Sequence, residues 1–67
     1  MERSGEPAPN RSPSILVIDD EDYVADMIAT ILRLEHYAVY VAYNGRAGLE
    51  LARQHPLDLV IADMMLP

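Results

Sequence analysis

Two apolar runs, each ending on acid, hold the residues of this chain best equipped for chemistry. The first is "ILVIDDE", Ile15 to Glu21, and the second is "LVIADMMLP", Leu59 to Pro67. Helix capping accounts for one acid after such a run, but not for Asp19, Asp20 and Glu21 together. If Asp63 comes to lie beside Asp19 and Asp20, three like charges share one place. At about 4 Å and an effective dielectric near ~20, each pair repels by about 4 kcal/mol. A positive partner is then required. Carboxylates with no His or Cys beside them select a hard cation, and Mg²⁺ fits because it keeps several waters and takes few carboxylates. A hydrated Mg²⁺ next to a carboxylate is also the equipment for phosphoryl transfer, which needs charge neutralised on the moving group and an oxygen nucleophile in line. A carboxylate can be that nucleophile, forming an acyl phosphate.

The intervening residues supply the elements that must position these acids. Ile15 to Ile18 is a continuous apolar, β-branched-rich run, as expected for a strand covered on both faces of a parallel sheet. Val24, Met27, Ile28, Ile31 and Leu32 recur at helical spacing and predict one apolar stripe on a helix from about Glu21 to Glu35. Asp20, Glu21 and Asp22 fall at its N-terminus, where negative charge meets the positive end of the helix dipole. "AVYVA", Ala38 to Ala42, reads as a second strand with Val39 and Val41 facing one way and Tyr40 the other. Asn44-Gly45 could turn a hairpin, but "RAGLELARQ" follows and predicts a helix capped by Asn44, with Gly48, Leu49 and Ala52 on one face. After Pro56, Leu57 to Ala62 reads as a third strand. The order β-α-β-α-β implies a parallel sheet with right-handed crossovers, half of a doubly wound α/β fold. Ligands of such sheets gather outside the carboxyl ends of the strands where strand order reverses, so strand order 2-1-3 would bring Asp19, Asp20 and Asp63 to one hollow.

Composition excludes several classes. At 67 residues there is room for one domain at most. The net charge of -6, with no lysine and five scattered arginines, argues against a nucleic-acid surface. Without cysteine there is no disulfide framework, thiolate metal site or cysteine nucleophile. Residues 1 to 13 hold three of the five prolines with Gly5, Ser4, Ser12 and Asn10, and read as a disordered leader before a domain at residues 14 to 67. That start has no apolar core of a secretory signal, and no run is long enough to span a bilayer, so a cytoplasmic protein is expected.

"ILVIDDE" before an amphipathic helix, "AVYVAYNG" before a second, and "LVIADMMLP" together closely resemble the first half of the receiver domain of two-component response regulators, over about residues 14 to 67. The resemblance implies a truncated, flavodoxin-like parallel sheet. It makes Asp63 the phosphoacceptor, Asp19 and Asp20 the acidic pair that holds Mg²⁺, and Met65 the residue whose main-chain carbonyl completes the metal shell. It implies a sensor histidine kinase or phosphotransfer protein as partner, and a signalling domain rather than an enzyme, with Mg²⁺-dependent self-phosphorylation at most. A complete receiver also brings a Ser or Thr and a Lys to the phosphoryl oxygens. This chain has no Lys, and its one Thr, Thr30, belongs to the first helix. An impaired, truncated receiver is therefore expected, with the third strand exposed as an apolar edge that could form a homodimer.

Two rival readings remain. A receiver-like module could bind a kinase or another receiver without carrying phosphate. A Mg²⁺-dependent phosphohydrolase with an aspartyl nucleophile generally has a second Asp two residues later, where Met65 stands here. The bland reading of Asp63 alone is a turn-initiating residue. His36 and His55 border turns, Met64 and Met65 suit packing, the four tyrosines read as amphipathic packing, and Asp26, Glu35, Glu50 and Asp58 read as a solvated face.

Overall fold

The computed structural model describes residues 12–63. Five elements follow the expected alternation: β1 (Ser14–Asp19), α1 (Asp22–Leu34), β2 (Ala38–Ala42), α2 (Gly45–Gln54) and β3 (Leu59–Asp63). The strands pair in parallel in the order β2-β1-β3, the arrangement expected of a flavodoxin-like half. Most of the leader expected at residues 1 to 13 lies outside the described residues, as does Met65.

Two hydrogen bonds tie the outer strands to the start of β1, and the registers set the direction of their peptide groups. The Ala38 N–H donates to the Pro13 carbonyl at 2.9 Å, and the Asp58 N–H to the Ser14 carbonyl at 2.8 Å. In a parallel ladder successive residues point their N–H and C=O to opposite sides. Ala38, Tyr40 and Ala42 therefore turn theirs towards β1, while Val39 and Val41 turn outwards. On β3, where Leu16 stands opposite Val60 and Ile18 opposite Ala62, Leu59, Ile61 and Asp63 bond inwards, and Val60 and Ala62 present N–H and C=O to the outer edge. Asp58 also accepts from the Ser14 N–H through Oδ2 at 2.7 Å, so it clamps β1 to the entry of β3 rather than merely solvating a face. That clamp is why β3 starts at Leu59, two residues later than the apolar run predicts.

Both helices lie over β1 and β2, one on each face. On the α1 side the core gathers Ile15, Val17 and Ala25, with Ile28, Leu32, Val39, Val41 and Ile61 packed against it. Contact with the sheet is made through Ala25 and Ala29, both completely buried, whereas Met27 and Ile31 are more than half exposed. The predicted stripe was thus broader than the true contact and centred away from it: two alanines let the helix backbone approach the sheet, which larger side chains would hold off. On the other face Gly48 does the same for α2. A Cβ there would overlap the Ile18 side chain. The inward residues of α2 are Gly48, Ala47 and Leu51, while Leu49 and Ala52 are exposed, so that face too was read one residue late. Asn44 caps α2 as expected, its Oδ1 accepting from the Ala47 N–H at 2.8 Å, which rules out the hairpin.

Helix α1 ends in a Schellman turn. His36 N–H donates to the Arg33 carbonyl, Tyr37 N–H donates to the Leu32 carbonyl, and His36 itself has φ 72°. Glycine is the usual occupant of that position because a side chain there costs roughly 1–2 kcal/mol. The tyrosines divide: Tyr40 stacks on His55 with ring centroids 4.2 Å apart, but Tyr23 is 70% exposed and packs little.

Candidate functional site

The acids meet at the carboxyl end of the sheet. The β1–β3 register pairs Asp19 with Asp63, so their side chains leave neighbouring strands on the same face, about 4.8 Å apart at the backbone. Asp19, Asp20 and Asp63 line an open hollow of ≈ 500 Å³ together with Glu21 and Val24. All three acids singled out in the sequence are therefore brought together. Glu21, assigned above only to the helix dipole, joins them, and its place directly after the acidic pair was the available signal.

The acids differ in surroundings. Asp19 is buried, 4% exposed, and its Oδ1 accepts from the Glu21 N–H at 3.0 Å. This Asx-type turn swings the chain from the strand into α1 and fixes the carboxylate at the floor of the hollow. Asp20 and Asp63 are exposed at its rim. Glu21 occupies the N-cap of α1 without a side-chain cap bond, and Asp22 stands in the first turn, so the helix end contributes partial positive charge where the acids need it.

Two further contacts hold α1 in place. Tyr43 Oη donates to Asp26 Oδ1 at 2.7 Å, tying the second turn of α1 to the loop after β2. That hydrogen bond, with the negative charge of Asp26, raises the Tyr43 hydroxyl above its ordinary value of 10.0. Asp26 is thus engaged rather than simply solvated. Thr30 Oγ1 donates to the Asp26 carbonyl at 2.9 Å, which keeps this hydroxyl on α1 and away from the hollow.

The donor set is oxygen only, and it suits a hard cation that retains most of its water. Among the described residues no three acidic or histidine side chains close into a ready-made cage. Asp19 and Asp20 could each offer an oxygen from one wall and Asp63 from the other, which fits a hydrated Mg²⁺ better than an ion enclosed by protein.

Comparison with known proteins agrees with this geometry. Residues 15–67 match the family model described as the response regulator receiver domain. The response regulator GtcR of Aneurinibacillus migulanus is 39% identical over 56 residues, covering 84% of this chain and 23% of its own length. The regulatory protein VanR of Enterococcus faecium is also 39% identical over 56 residues, covering 84% of this chain and 24% of its own. The chain thus spans about a quarter of the length of these relatives. No solved structure matches it.

Proposed function

The chain belongs to the response regulator receiver family, and from that premise we propose that Asp63 accepts a phosphoryl group from the phosphohistidine of a sensor kinase or phosphotransfer protein, at a site where Asp19 and Asp20 hold Mg²⁺. The observation that carries this reading is the pairing of Asp19 with Asp63 across β1 and β3 in a hollow that Asp20 also lines. When bound, Mg²⁺ supplies positive charge to offset the acids and the phosphoryl oxygens.

The chain's own residues do the rest. An oxygen of Asp63 attacks phosphorus, the O–P bond forms as the P–N bond to the donor imidazole breaks, and the imidazole nitrogen leaves with the electron pair and takes a proton. Asp63 suits this role because it is exposed at the strand tip, open to a donor on another protein. Buried Asp19 suits the role of fixed ligand, and rim-placed Asp20 that of a ligand acting through water. Met65, whose carbonyl would complete the shell, lies outside the described residues.

Within these 67 residues there is no lysine, and the one threonine is bonded on α1. Phosphorylation of this chain is accordingly slow. Incubation with acetyl phosphate and Mg²⁺, followed by intact-mass measurement, gives a weak phosphoryl adduct that vanishes in Asp63→Asn and in the absence of the ion. Kinase binding unaffected by Asp63→Asn, with no adduct under any condition, would instead identify an interaction module that never carries phosphate. The outer edge of β3 adds a second element to this reading, a homodimer through that strand, favoured by the half-exposed Leu59 and Val60. Among the described residues no helix is long and apolar enough to cross a membrane.

A further inference from the structure

Three aspartates of the hollow have roles in phosphoryl transfer, and Glu21 beside them has none beyond the helix end. We propose that Glu21 is a positioning residue of the metal site, its carboxylate accepting hydrogen bonds from the water that Mg²⁺ retains and so holding the hydrated ion against Asp19, Asp20 and Asp63. The inference rests on the Mg²⁺ reading of the hollow and assigns its remaining acid.

The main chain of Glu21 is fixed by its neighbours. Its N–H donates to Asp19 Oδ1 at 3.0 Å, and its carbonyl accepts from the Val24 and Ala25 N–H groups, each at 3.1 Å. These bonds lie within residues 19–25, so the side chain starts from a set point on the wall of the hollow. Helix capping does not claim it. Glu21 occupies the N-cap of α1 with extended backbone, yet its side chain makes no cap bond. Asp, Asn, Ser and Thr cap well because their short side chains reach the first-turn amides, and glutamate is not among them. The helix dipole does not single it out either, since Asp22 in the first turn already supplies negative charge.

Reach distinguishes Glu21 from the aspartates. Asp19 is short, buried and already engaged through Oδ1, which suits it to direct ligation from the floor. Glu21 is exposed and one methylene longer. Mg²⁺ sheds water reluctantly, so an open site with few direct carboxylates leaves several bound waters facing the walls. Such waters are strong donors, and a carboxylate one layer out takes charge-assisted hydrogen bonds from them. Partners of this kind typically carry about ten- to a hundredfold in metal affinity.

Amide chemical shifts of the whole chain, followed while MgCl₂ is added at constant ionic strength, test the assignment. Glu21→Gln keeps the length, removes the charge and loosens Mg²⁺ about tenfold. Glu21→Asp keeps the charge but shortens the arm, which then turns back to cap α1. Its urea midpoint without Mg²⁺ rises, while Mg²⁺ binding loosens about threefold or more. Asp22→Asn removes a charge that does not line the hollow and changes the affinity less than about twofold. Opposite movement of stability and affinity in Glu21→Asp is a signature that a purely structural role does not give. Unchanged affinity in Glu21→Gln, full affinity in Glu21→Asp, or equal loosening in Asp22→Asn and Glu21→Gln overturns the proposal and leaves Mg²⁺ with the aspartates. An unaltered chain with no saturable response to Mg²⁺ overturns the Mg²⁺ reading as well.

Discussion

The two outer strands of this sheet come from similar apolar runs and are treated in opposite ways. Strand β2 lies under both helices, its outward Val39 carbonyl is taken by Arg33, Tyr40 stacks on His55, and Tyr43 beyond its end is bonded to Asp26. Strand β3 lies under neither helix, and Leu59 and Val60 are about half exposed. The comparison teaches that burial of a strand is decided by which crossover helix returns over it, not by the strand's own composition. Right-handed crossovers from β1 to β2 and from β2 to β3 place α1 and α2 on opposite faces of the same two strands. The strand carrying Asp63 is the one left uncovered. It is held chiefly by its ladder to β1 and by Asp58.

Changing that clamp should break the comparison most sharply. Asp58→Ala leaves the part-buried Ser14 N–H without its carboxylate and costs about 1–3 kcal/mol in urea unfolding, with faster amide exchange in β3 before β2 responds. A substitution on the covered side should cost less. In Gly48→Ala, about 1 kcal/mol of helix propensity is gained but the new Cβ meets Ile18, for a net loss of about 1 kcal/mol. Ile18→Val removes the nearer of the two obstructing atoms but keeps a γ-carbon, so Gly48→Ala made in that background costs less than in the parent chain. A thermal-melt double-mutant cycle showing simple additivity would contradict the close approach of α2 to the sheet. The smallest energetic effect is expected for Arg33→Ala, about 0.5 kcal/mol for an exposed bond. Urea unfolding of the variant measures it, and amide exchange in β2 should change less than exchange in β3 does in Asp58→Ala.

Much of this architecture was legible in the residues. The Asn44 cap, the bounds of β2 and the opposed facing of Tyr40 and Val39 follow from local rules and appear as expected. The convergence of Asp19, Asp20 and Asp63 needed only the strand order, which the alternation of elements made the natural choice. What escaped was set by contacts between distant residues. Hydrophobicity marked Met27 and Ile31 as inward, yet closeness of approach made Ala25 and Ala29 the contact, and small residues give weak periodic signals. The clamp by Asp58 joins residues 44 positions apart and has no local signature. His36 at a left-handed position could be suspected from its place after the helix, but only the Schellman bonds to Leu32 and Arg33 establish it.

The short turn at Asp19 carries a chemical selectivity of its own. Because Oδ1 already receives the Glu21 amide, gripping an ion with both oxygens would compete with the bond that holds the bend into α1, while Oδ2 is spared that competition. Single-point attachment suits a small octahedral ion that keeps its water, and disfavours calcium, whose larger sphere is commonly filled by carboxylates bound through both oxygens. Discrimination between the two alkaline-earth ions would thus originate in a main-chain amide that never touches the metal.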